Sequence, residues 1–126
     1  MKIEVSKGEV LDKISILALK KSKIQDKAKL ENVYHEYQTL LPYFDQIVNT
    51  QQLGDLYWQL SAVNTELWDV EDKLREFEKS RTFNTEFIEL ARSVYYLNDR
   101  RAELKRDINI LSGSDLIEEK SYEDYK

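Results

Sequence analysis

The sequence predicts an all-α protein, an antiparallel helical bundle of about four helices built on a long helical hairpin. Three observations predict it. Apolar residues recur at spacings of three and four through two stretches, 51–79 and 84–111. Glycine and proline together number only four in 126 residues. Charged residues make up 34% of the chain, a composition that suits long solvated helices rather than a β-sandwich.

The first helix opens at Ser6-Lys7-Gly8-Glu9. A serine followed three residues later by glutamate is the pattern of a capping box, in which the two side chains satisfy two otherwise orphaned N–H groups. Val10, Leu11, Ile14, Leu17, Ala18 and Ile24 then share one arc of the helix. Residues 2–5 before it form a short extended arm. Asp26 is a good N-cap for a second helix, along which Leu30, Val33, Tyr34, Tyr37, Leu40 and Leu41 keep helical spacing. Pro42 lacks an N–H and crowds the preceding turn, so a kink or break is expected there, with helical residues resuming to about Val48.

The third helix has the clearest pattern. Leu53, Leu56, Leu60, Val63, Leu67, Val70, Leu74 and Phe77 form an unbroken apolar seam. The fourth answers with Phe87, Leu90, Val94, Leu97, Arg101, Leu104, Ile108 and Leu111. Thr82, Asn84 or Thr85 can cap its start and Gly113 its end. The short connection forces the two helices antiparallel, each roughly 40 Å long, with Phe77 meeting Phe87. Trp58 and Trp68 fall away from the seam, so the first two helices or a second copy of the chain is expected to cover that side.

Length fits one domain over 1–126, including an acidic, mobile tail at 114–126 that Leu116, Ile117 and Tyr122 could dock. Cysteine is absent, which excludes disulfides, zinc thiolates and thiol nucleophiles and fits a reducing, cytoplasmic setting. No run of eighteen apolar residues marks a membrane span, and the N-terminus lacks the apolar block of a signal peptide. A net charge of −5 without a basic stripe argues against a nucleic-acid partner. The charge is polarised: residues 1–25 carry six lysines against three acids, and residues 112–126 five acids against two lysines, so the two ends could attract each other.

Several polar residues need an account. Arg101 occupies a seam slot facing Val63 and Asn64, and Asn98 borders the same seam. A charge there needs a partner: Glu66, Asp69, Glu71 or an anionic ligand. One reading is a buried polar cluster that fixes helix register. The other is a ligand site, with Asn64, Asn98, Arg101 and Lys105 joined by Lys13 and Lys20 if that face of the first helix turns toward Arg101. Arg101 and Lys105 are one turn apart and project to a common side, as Arg and Lys do in chorismate-mutase-like helical enzymes that hold a dicarboxylate. Glu66 and Asp69 match only half of the paired acidic motifs that all-α nucleotide pyrophosphatases use for divalent metals, which leaves Glu66, Asp69 and Asp72 as weak metal candidates. His35, the one histidine, reads as a surface residue, and no glycine-rich phosphate loop is present.

Four segments carry a resemblance. They are Gly8-Glu9-Val10-Leu11-Asp12-Lys13-Ile14-Ser15-Ile16-Leu17; Ala62-Val63-Asn64-Thr65-Glu66-Leu67-Trp68-Asp69-Val70-Glu71-Asp72; Phe87-Ile88-Glu89-Leu90-Ala91-Arg92-Ser93-Val94-Tyr95 with Asn98-Asp99-Arg100-Arg101; and Glu118-Glu119-Lys120-Ser121-Tyr122. Together they resemble a family of short all-helical proteins of bacteria and their phages, catalogued as a domain of unknown function. The likeness spans nearly the whole chain and departs most at 39–52. It implies no activity. It does imply that Glu9, Asp12, Lys13, Lys20, Asn64, Trp68, Asp69, Glu71, Asp72, Arg92, Asn98, Asp99, Arg100 and Arg101 belong to the family pattern.

The sequence therefore favours a non-enzymatic binding or assembly module, a homodimer presenting helical surfaces. The alternative is a small helical enzyme or binder of an anionic small molecule. A metal-dependent nucleotide hydrolase stands third. No cofactor is expected, and no catalytic residue can be named.

Overall fold

Each helix begins at a side chain that takes up one of the orphaned N–H groups of its first turn. Ser6 Oγ accepts from the N–H of Glu9 at 3.1 Å, Asp26 Oδ1 from Lys29 at 2.9 Å, Thr50 Oγ1 from Leu53 at 3.2 Å and Asn84 Oδ1 from Phe87 at 3.0 Å. The elements so started are α1 (Lys7–Lys23), α2 (Lys27–Ile47), α3 (Gln51–Lys79) and α4 (Thr85–Ser112). The computed structural model describes residues 1–125, and among them there is no strand. None of the helices is long and apolar enough to cross a membrane. α4 stops at Gly113, whose left-handed backbone (φ 68°) a side chain would strain.

α3 and α4 form the expected antiparallel hairpin. The Phe77 and Phe87 rings meet edge to face, with centroids 6.2 Å apart, which is the predicted register. Further along, Arg100 Nη2 donates to Gln59 Oε1 at 2.9 Å. The seam ends before its last expected member, because Leu111 is exposed.

α1 lies along the open end of this hairpin and touches each of the other three helices. Leu11 and Ile14 are buried among Leu53, Tyr57 and Leu60 of α3 and Leu104 and Ile108 of α4. α2 returns beside α1 and closes the core with Ile47, while Phe44 packs edge to face on Tyr57 at 4.9 Å. The Lys21 ammonium sits 4.1 Å from the Tyr37 ring centroid, a cation–π contact between α1 and α2. α1 is about 25 Å long against about 43 Å for α3. It ends beside Asp69, 3.7 Å from Lys23 Nζ, and the hairpin beyond runs on as two helices.

Two expectations are corrected. α2 is not broken at Pro42 but continues to Ile47. Pro42 and Gln38 are both exposed, so water can serve the Gln38 carbonyl that proline leaves unpaired, while Leu40, Phe44 and Ile47 hold the helix onto the core. The capping box is realised by Ser6, whereas the Glu9 carboxylate turns to Lys105. Of the two tryptophans, Trp68 is half-buried beside Ile16 and Leu19 of α1, whereas α1 and α2 leave Trp58 68% exposed.

Gly8 marks the closest approach of α1 to α4. Its N–H donates to Asn109 Oδ1 at 2.6 Å, and a Cβ placed on it would lie 2.6 Å from the Lys105 carbonyl oxygen. Alanine gains about 1 kcal/mol over glycine within a helix, but relieving that overlap costs more, about 2–3 kcal/mol. Gly8→Ala is therefore expected to lower the stability measured by urea denaturation by about 1–2 kcal/mol net. Unchanged or raised stability would show that the two helices can part without loss.

Candidate functional site

The same face of α1 that carries Gly8 carries Asp12 and Ser15 one and two turns later, since residues three and four apart line one side of a helix. This face meets Arg101 and Lys105 of α4 and Asn64 of α3. Arg101 is neutralised by Asp12, which is 1% exposed, rather than by Glu66, Asp69 or Glu71. Arg101 Nε donates to Asp12 Oδ1 at 3.0 Å and Nη2 donates to Oδ2, a two-pronged pair. Asn64 Nδ2 donates to Asp12 Oδ1 at 2.9 Å and lies 2.8 Å from Ser15 Oγ, whose own proton goes to the Asp12 carbonyl. Hydrogen bonding to Asp12 holds the Arg101 guanidinium even more firmly protonated than usual, against the opposing effect of burial. Among the described residues, no buried side-chain nitrogen or oxygen is left without a partner.

Lys105 is a second junction. Its ammonium donates to Glu9 Oε2 at 2.8 Å and lies 3.6 Å from Glu118 Oε1. Glu118 belongs to the C-terminal segment 114–125, which folds back along α4. Next to it Glu119 pairs with Arg106. At the far end the Tyr125 ring packs against Tyr95 at 4.8 Å and Tyr96 at 5.0 Å, and its hydroxyl donates to Asp99. The expected tail is thus docked, although Leu116, Ile117 and Tyr122 remain exposed. Its Glu118 and Glu119 engage α4, while the N-terminal region meets its root through Lys7, whose N–H donates to Ser114 Oγ at 3.1 Å. Lys126 lies outside the described residues.

A cleft of about 540 Å³ opens between this segment and α4, and Asn98, Arg101 and Lys105 all line it. Asn98 does not border the α3 seam. It is exposed and donates to the Val94 carbonyl of its own helix at 3.0 Å. Asn64 and Arg101 line a shallower groove of about 310 Å³ on the α3 side, with Trp68 and Asp72. Lys13 is exposed and Lys20 half-buried on α1, and neither lines these two depressions. Glu66 is exposed and Asp69 faces Lys23, so the acidic group is not drawn together. Among the described residues, no three His, Cys, Asp or Glu side chains gather as metal ligands would. The residues that local patterns missed are Asp12, Ser15 and Glu9. Their one usable signal was spacing: acids at i, i+3 on α1 can meet cations at i, i+4 on an antiparallel α4.

These features define an all-α bundle in which a shorter helical hairpin docks on a longer one and the charges between them are closed by the chain itself. The chain belongs to the DUF6165 family, a family of unknown function, whose model matches residues 1–125. No curated protein and no solved structure matches it.

Two outcomes are expected. Asp12→Ala strands the Arg101 guanidinium, which keeps some contact with water, so the loss falls at the low end for a broken buried pair, about 3 kcal/mol in urea denaturation. A loss below about 1 kcal/mol, the worth of a surface pair, would reduce the contact to that status. The hydrogen bond to Asp99 raises the pKa of Tyr125 from 10.0 to about 12. A raised value means that the contact is fully present below pH 10.0 and is lost as pH climbs through about 12. Tyrosinate absorbance is expected to show a late step near pH 12 that Tyr125→Phe removes; an unaltered titration would contradict the contact.

Proposed function

We propose that this protein is a non-enzymatic assembly module of the cytoplasm that works as a homodimer, joined through the projecting end of the α3–α4 hairpin. One observation carries this reading. α1 ends near Asp69, among the described residues no third helix follows the hairpin to its tip, and its seam residues Leu74, Phe77, Phe87 and Leu90 stay half-buried. At the tip, Phe83 packs on Phe87 at 5.1 Å, yet Phe83 and Ile88 are each more than half exposed. Two such ends laid together would form a four-helix arrangement and remove this apolar surface from water. The cations of the inter-helix cluster support the non-enzymatic part, because they are already matched by carboxylates of the same chain.

A second reading, a binder of an anionic molecule, is favoured by the convergence of Asn98, Arg101 and Lys105 on one cleft. A ligand there must contend with the carboxylates those cations already hold.

Light scattering is expected to give twice the mass of one chain at micromolar concentration. The double variant Phe83→Ser with Ile88→Glu is expected to give a single-chain mass with unchanged helicity, since both side chains are exposed. A monomeric wild-type protein, or a dimer indifferent to both changes, would sink the hairpin interface.

A further inference from the structure

We propose that residues 115–125 form a displaceable strap, and that the α4 surface beneath it is a docking groove for an extended acidic segment with a tyrosine, presented by a partner protein. This rests on the second of the two readings above and names its ligand class.

The strap is longer than the path it covers. Tyr125 lies six positions after Glu119, enough chain to reach about 20 Å. Their anchors, Arg106 and Asp99, are seven residues apart on a helix, about 10 Å. The excess chain arches away from α4, and the cleft of about 540 Å³ lies under the arch. The strap has neither helix nor strand. Its root is fixed by Ser114, whose N–H donates to the Asn109 carbonyl at 2.9 Å and whose Oγ accepts from the Lys7 N–H at 3.1 Å. Beyond that root its attachment rests on side chains. At one end are the ion pairs of Glu118 and Glu119, at the other the Tyr125 ring and hydroxyl. The Arg106–Glu119 pair is well exposed, and exposed pairs hold weakly.

Departure of the strap leaves no uncompensated charge inside the protein. Lys105 keeps Glu9 at 2.8 Å when Glu118 withdraws, and Arg101 keeps Asp12. What departure uncovers is a row along α4: Lys105 and Arg106 at one end, Tyr95 and Tyr96 at the other. The strap itself displays the chemistry this row accepts, adjacent carboxylates followed six or seven residues later by a tyrosine. The elements of recognition are spread along three turns of helix, and the two guanidiniums nearest the middle are already engaged, Arg101 by Asp12 and Arg100 by Gln59 and Glu103. That spacing suits an extended peptide, which can touch both ends, better than a small anion.

The test uses the full chain and a fluorescent peptide with the sequence of residues 114–126 as probe. In the wild-type protein the strap occupies the groove and taxes the apparent affinity. The triple variant Glu118→Ala, Glu119→Ala and Tyr125→Ala lifts that tax and is expected to bind the peptide about tenfold more tightly or better by anisotropy. Adding Arg106→Glu to the triple variant is expected to abolish binding, with circular dichroism reporting an intact fold. Equal binding by wild type and triple variant, no binding by either, or indifference to Arg106→Glu would each overturn the proposal. So would inorganic phosphate displacing the peptide from the triple variant at matched ionic strength, since that would make the groove a small-anion site. Failure of the dimer is scored separately, because Phe83 and Ile88 lie on the hairpin beyond the strap's anchors.

Discussion

The Asp12 carboxylate, sealed between three helices, is the point on which the arrangement of α1 depends. Taking a carboxylate out of water costs several kcal/mol unless its lone pairs are met. Here both oxygens are used, by the two-pronged Arg101 and by Asn64. One turn earlier, Gly8 lets the backbones of α1 and α4 close to a distance no side chain would permit. Gly8 opposite Asn109 and Asp12 opposite Arg101 set α1 antiparallel to α4. Asp12 beside Asn64 and Lys23 beside Asp69 set it parallel to α3. Apolar contacts such as Leu11 and Ile14 against Leu60 and Leu104 supply most of the driving force. They would tolerate sliding by a turn, whereas the polar contacts would not.

That same closure decides what chemistry lies between the helices. Arg101 stands between two depressions, the cleft under the C-terminal segment and the shallow groove beside Trp68, and lines both. Its charge is delivered to neither, because the carboxylate that neutralises it comes from behind, from α1. A guanidinium locked by two parallel bonds is a structural fastener. The surfaces left for recognition are therefore those where the chain's own coverage ends: the aromatic tip of the hairpin and the outer face of α4.

The hairpin and its register were legible because both rest on a local repeat. Phe77 meets Phe87 as the seam spacing required. Arg101 was also legible as a charge in an apolar slot that needed a partner. Its partner was not. Glu66, Asp69 and Glu71 are close to it along the predicted hairpin, but Glu66 and Asp69 point to water or to Lys23, and Glu71 pairs at 3.9 Å with Arg75 of its own helix. Asp12 belongs to a helix whose docking angle no local pattern encodes, and on α1 alone it reads as the polar border of an apolar arc. Pro42 does not break α2 for a related reason: its penalty is local, while the packing of Phe44 and Ile47 that holds the helix is tertiary. What the C-terminal segment rests on was not legible, because its acidic composition says nothing of the cations and tyrosines that α4 turns outward toward it.

Lys105 shows why the two cations of the cluster are different residues. It is 8% exposed yet holds carboxylates from two directions, Glu9 on α1 and Glu118 on the strap. An ammonium is a compact charge with three donors that can be shared among acceptors, whereas a guanidinium fork is consumed by one well-aligned carboxylate. Arginine accordingly sits where the contact must not change, on the α1 clamp. Lysine sits where one partner can leave while the other stays. An arginine at 105 engaging Glu9 with both prongs would have little left for Glu118, and one engaging Glu118 would pull away from α1. The placement of Lys105 between a fixed partner and a removable one uncouples the core from the state of the strap, so that the outer face of α4 can be covered or uncovered without loosening the helices beneath it.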